Sequence, residues 1–214
     1  MNRLDQSRFV HLWQRLGGRS NPAILFTALA AAYAEPHRAY HNTVHLQDCL
    51  TQFDSVRASA NQPDQLEMAL WFHDAIYNPH AADNEAQSAA WAIQALTQGG
   101  IALTLAEQVA EFILATQHQA LPQEDGTKLG DAQLMVDVDL SILGRDPAIF
   151  DDYDRQIRLE YHWVPEKQFC ERRAQLLTGF LCRPVIYQTE HFYNRYEAQA
   201  KQNLTRAIGR LTTC

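Results

Sequence analysis

The chain has 214 residues, 46% of them hydrophobic and 20% charged, ordinary values for a folded protein with a sizeable core. Its 25 acidic residues outnumber 18 Lys and Arg, and the net charge of −7 excludes an extended nucleic-acid surface, which needs a basic face. The cysteines Cys49, Cys170, Cys182 and Cys214 form no CxxC pair, which excludes a zinc knuckle and leads to the expectation of reduced thiols.

In chain order, Met1 to Gln6 lacks the apolar core of a signal peptide. A first amphipathic helix carries Phe9, Val10, Leu12, Trp13 and Leu16 and stops at Gly17-Gly18. Asn21-Pro22 opens a second, Asn as cap and Pro in the first turn, running to about Ala34 before Pro36. This is the longest apolar stretch, well short of the ~20 residues that span a bilayer. A soluble, cytoplasmic protein with no membrane partner is expected. The third helix begins near His41 and continues through Leu46, Leu50, Phe53 and Val56. Pro63-Asp64 starts a fourth, with Leu66, Ala69, Leu70 and Phe72 leading to His73-Asp74, and Asn78-Pro79-His80 ends it. Asp83-Asn84 caps a fifth that fades at Gly99-Gly100, and a sixth runs from about Leu105 to His118. After a polar loop, Gln119 to Gly130, a seventh holds Asp137 and Asp139 and is ended by Gly144. Asp146-Pro147 opens an eighth, and Pro165-Glu166 and Gln188 open two more. Alternating β-branched runs, repeats and linkers are absent. The expected fold is all-α, a single domain over 1–214.

Polar residues interrupt these apolar patterns at Tyr40 to His45, His73-Asp74, Thr116 to His118 and Asp137 to Asp139. Imidazoles and carboxylates are costly to bury alone, and a divalent metal accommodates neutral His and ionised Asp together. His73 shares the face of Leu66, Ala69 and Leu70, with Asp74 turned about 100° away, so both can grip an ion over the helix end. Asp139 falls in the apolar stripe of Met135, Val136, Ile142 and Leu143, whereas Asp137 lies on a mixed face and reads as a helper or surface group. His41 and His45, four apart, both bind one metal, or one binds while the other faces the substrate. The donor set suits Mn, Fe, Co, Mg or Zn without choosing among them. His118 could ligate, touch a phosphate or cap a helix end.

These residues resemble the HD-domain superfamily of metal-dependent phosphohydrolases, α-bundles whose ligands come in the order His, His-Asp, Asp. His45, His73-Asp74 and Asp139 match that order. A local likeness to the cyclic-nucleotide phosphodiesterases of that superfamily lies in Tyr40-His41-Asn42, His45 and Asp48, and in Val138-Asp139-Leu140-Ser141. Leu114-Ala115-Thr116 is similar to another of their motifs, although Gln117 stands where they carry Asp. They continue past His-Asp with a second Asp and His, where this chain has Ala75-Ile76-Tyr77-Asn78, so nucleotide specificity does not carry over. As a whole the chain resembles the compact phosphohydrolases of the superfamily, including Arg158-Leu159-Glu160-Tyr161 and Arg183-Pro184-Val185-Ile186-Tyr187 in the tail.

The resemblance implies an HD-type domain that hydrolyses a phosphate ester of a nucleotide or other small metabolite. A metal-bound hydroxide would attack, with His45, His73, Asp74 and Asp139 as ligands and His41 protonating the leaving oxygen. Asp74 could bridge to a second ion, for which only Glu85 and His118 are candidate ligands. Arg matches phosphate oxygens bidentately, which makes Arg38, Arg158, Arg172 and Arg173 candidates; Arg38 and Arg158 are taken as substrate contacts, with Glu85 and His118 beside them. The competing classes are an HD-fold di-iron oxygenase, opposed by the scarcity of further His ligands, and a non-catalytic nucleotide-binding module, opposed by the intact ligand set. Oligomeric state is not legible.

Overall fold

The structure, a computed structural model, describes residues 4–117 and 130–213. Among them it is all-α, with no strand. Ten α-helices form: α1 (Gln6–Arg15), α2 (Ala23–Ala32), α3 (Thr43–Val56), α4 (Pro63–Phe72), α5 (Asn84–Gln98), α6 (Leu103–Ala115), α7 (Asp131–Asp139), α8 (Pro147–Glu160), α9 (Glu166–Leu181) and α10 (Glu190–Leu211). Short 3₁₀ turns follow α3 and α7. No described helix is long and apolar enough to cross a membrane. The chain groups into two compact units, Met1–Val136 and Asp137–Cys214, and α7 crosses from one to the other.

Within the first unit α4 is the central helix. Every residue from Leu66 to Phe72 is buried, so the helix has no solvent face and shows no amphipathic stripe. Burying each of its large side chains contributes roughly 1.5–3 kcal/mol. It packs against α1, α3, α5 and α6. The exception in its sequence is Glu67, 1% exposed, whose carboxylate accepts from Arg8 at 2.6 Å, from Arg15 at 3.3 Å and from Arg57. A buried carboxylate persists only with such partners.

Two glycine pairs close helices as the sequence suggests. Gly17 takes φ +87°, and the amides of Gly17 and Gly18 return to the carbonyls of Gln14 and Trp13. Gly100 takes φ +85°, and Gly100 and Ile101 return to Thr97 and Leu96. Both are Schellman endings, which need a left-handed residue that only glycine adopts cheaply. Gly99 accepts at its carbonyl from the amides of Arg19 and Ser20, tying the end of α1 to that of α5.

In the second unit α10 packs along α9 and on the 3₁₀ turn Leu140–Gly144. Asn203, fully buried on α10, donates to the carbonyls of Leu143 and Arg145 at 2.9 Å each. The Ile186 to Thr189 strip before α10 is held by two carboxylates. Glu197 accepts from the amides of Ile186 and Tyr187, and Asp137 accepts from those of Gln188 (3.0 Å) and Thr189 (2.7 Å) and from the Thr189 hydroxyl (2.6 Å). Asp137 is therefore not the surface group its mixed helical face suggested. It is 0% exposed and anchors the start of α10. The expectation of reduced thiols also needs correction: Cys49 and Cys182 are free, but Cys170 is disulfide-bonded. Spacing along the sequence carries no information on which sulfurs approach each other in space.

Candidate metal centre

The candidate site in the first unit is built where α3 starts and α4 stops. Asn42 is the cap of α3: its side-chain oxygen accepts from the Val44 amide at 2.8 Å, and its amide group donates to the Ala39 carbonyl at 2.7 Å. This places His45 in the first turn, facing inward and 5% exposed, and leaves His41 outside the helix. The pair therefore does not stack on one helix face. α4 ends at Phe72, earlier than the sequence suggests, so His73 is its cap residue and Asp74 lies in the turn beyond. His73 is 1% exposed.

Three donor atoms converge. His45 Nε2 lies 3.1 Å from His73 Nε2, and Asp74 Oδ2 lies 3.2 Å from the first and 3.1 Å from the second. His73 Nδ1 is 2.8 Å from the Leu70 carbonyl oxygen. A carbonyl only accepts, so Nδ1 carries the proton and, in the neutral ring, Nε2 keeps its lone pair for the cluster. Burial alone would raise the Asp74 carboxyl, but when the imidazoles are protonated the charges of His73 and His41 and hydrogen bonds from His45 and His73 outweigh it. They hold Asp74 well below the ordinary carboxylate range.

Two imidazole nitrogens and a carboxylate oxygen on a small triangle are donors of the kind that divalent metal ions take. Cys49, one helical turn after His45, adds a neighbour that the sequence reading missed. Its Sγ is 3.7 Å from each ring nitrogen of His45, and the ligand atoms of His45, Cys49 and His73 lie within 4.8 Å of one another. The i, i+4 spacing from His45 was the available signal.

The His-Asp turn is held residue by residue. The Asp74 amide donates to Tyr33 Oη at 3.2 Å, and the Asp74 and Ala75 carbonyls accept from Arg38. Burial pushes the Tyr33 hydroxyl up to about 12, so it stays protonated. Ser88 on α5 exchanges hydrogen bonds with the amide and carbonyl of Ile76. His37 Nε2 contacts the Tyr77 carbonyl at 2.9 Å, and Asn78 and Asn84 bond reciprocally. The segment Ala75 to Asn78, which departs from the phosphodiesterase pattern, is thus fixed by α5 and by the strip between α2 and α3.

His41 stands beside this cluster, half-buried, with its ring stacked on Tyr77 at 4.2 Å and 5.9 Å from the His45 ring. Of the expected substrate contacts, Arg38 has a fully buried side chain that donates to Glu35 and to the carbonyls of His41, Asp74 and Ala75. In the second unit Arg158 donates to the Tyr161 and Val164 carbonyls beyond the end of α8 and lies over the Phe169 ring. Both are committed to protein groups, and bidentate matching to phosphate is a property of the side chain that could not reveal this. Glu85 is half-buried in the first turn of α5. His118 lies outside the described residues. Asp139, half-buried, is the last residue of α7. No family model, curated protein or solved structure matches the chain.

Proposed function

We propose that the protein is a metal-dependent phosphohydrolase of HD type, acting on a phosphate ester of a nucleotide or other small metabolite. The observation that carries this reading is the triangle of His45 Nε2, His73 Nε2 and Asp74 Oδ2, with edges of 3.1–3.2 Å. The imidazole and carboxylate donors suit Mn, Fe, Co, Mg or Zn without choosing among them. Such an ion supplies Lewis acidity to a phosphoryl oxygen and a water activated near neutral pH. His45 and His73 offer their nitrogens as neutral donors, and Asp74 contributes a carboxylate. His41, outside the helix and beside the ligands, is the proposed proton donor to the leaving oxygen, with Tyr77 fixing the plane of its ring.

The test is turnover of a panel of phosphomonoesters and phosphodiesters by the purified protein with each of several divalent ions. Ion-dependent release of phosphate or of the alcohol is expected for one class. His41→Ala should lower turnover by ~10²–10⁴-fold, the usual contribution of a positioned acid, while retaining the ion. His73→Ala should lose both. An active protein indifferent to chelators, or a His41→Ala protein that loses its ion, would contradict the assignment.

A further inference from the structure

Arg38 has no exposed side-chain surface, and its charge lies among aromatic rings, over Tyr33 at 5.3 Å and Tyr77 at 5.5 Å. A guanidinium is costly to bury, and here most of its donors are met by backbone carbonyls of two separate segments. Nη1 reaches the His41 carbonyl at 3.0 Å and the Asp74 carbonyl at 2.5 Å, while Nη2 reaches the Ala75 carbonyl at 3.0 Å. One side chain therefore bridges the strip that ends in His41 and the turn that carries Asp74. The aromatic partners continue the same link. Tyr33 accepts from the Asp74 amide, so the Asp74 backbone is held at both its N–H and its carbonyl, and Tyr77 is the ring on which His41 stacks.

We infer that Arg38 is a positioning residue, a buried clamp that sets the separation and orientation of His41 relative to the His73-Asp74 turn. The inference rests on the proposed metal-dependent reading of that site. It replaces a role in touching substrate with one in holding the groups that do. Lysine would not substitute, because a single ammonium cannot span two segments with the planar fork of a guanidinium. Groups that orient metal ligands from behind typically account for 10–100-fold in affinity or activity when removed.

The experiment is a Mn²⁺ titration of metal-free full-length protein, wild type beside Arg38→Lys, Tyr33→Phe and Glu67→Gln, with melting temperatures for all four. Glu67→Gln breaks the buried ion-pair network elsewhere in the unit and reports what lost stability alone does to binding. Arg38→Lys is expected to weaken Mn²⁺ by about 10–100-fold, and Tyr33→Phe, which removes only the acceptor of the Asp74 amide, by a smaller factor in the same direction. Glu67→Gln should bind as wild type does. Once a substrate is in hand, Arg38→Lys should lose kcat with little change in KM at saturating Mn²⁺, because the acid is displaced and the substrate contacts are not. Should Arg38→Lys fail to fold, Tyr33→Phe against Glu67→Gln decides alone. Wild-type affinity in both clamp variants, or equal weakening in Glu67→Gln, overturns the clamp while leaving the metal site standing. A wild-type protein that takes up no Mn²⁺ overturns the metal site and the clamp together.

Discussion

Asp137 and Asp139 sit two residues apart at the end of α7 and have different fates. Asp137 is fully buried, and burial pushes its carboxyl up to about 6 despite the donors on Thr189 and Gln188. An unfolded Asp titrates near ~3.9. The folded protein therefore binds this proton more tightly, and the associated stability is complete below about pH 4 and is lost as pH rises through about 6. In metal-free protein, the melting temperature of wild type relative to Asp137→Asn should fall between those limits, by the equivalent of roughly 2–3 kcal/mol. Parallel curves for the two proteins would show that the three hydrogen bonds fully offset the burial. Glu67 is another buried carboxylate that bears on stability. Glu67→Gln should cost about 2–3 kcal/mol in denaturant unfolding, below the 3–5 of a fully buried pair because its arginine partners remain 24–44% exposed. His45, His73 and Asp74 were legible as residues, because imidazole and carboxylate in an apolar helix demand a partner. Cys49 was overlooked because a buried cysteine looks like any small apolar side chain.

At the scale of elements, the sequence carried the helices almost completely. Pro63, Pro147 and the glycine pairs punctuate the chain, and a segment formed for each apolar pattern. Gly17→Ala should destabilise by roughly 1–2 kcal/mol in thermal unfolding, since φ +87° places a Cβ against the following carbonyl. Unchanged stability there would mean the turn relaxes into another ending. The boundaries nearest the site were less legible. α3 starts at Thr43 because the Asn42 side chain satisfies the first turn, a choice that a preceding His could equally have been read to make. α4 stops at Phe72 because Arg38, Tyr33 and Ser88 take up the backbone groups of the following turn. Those are contacts between distant segments, invisible to any local pattern. The same contacts explain Arg38: its type suggested an anion contact, and only the fold reveals the carbonyls it serves.

For the whole molecule, the all-α class followed from helical periodicity and the lack of alternating strands, and the acidic balance of 25 to 18 argues against nucleic acid as a partner. The disulfide at Cys170 was not legible, because it depends on which sulfurs meet in space. The central claim is that His45, His73 and Asp74 together hold one divalent ion that His41 serves without binding. Calorimetric titration of metal-free protein with Mn²⁺ tests it most directly. Wild type and His41→Ala should each take up Mn²⁺ with closely similar affinity, whereas His73→Ala and Asp74→Asn should show no comparable binding. Uptake by His73→Ala as tight as by wild type, or no uptake by wild type at all, would contradict the account.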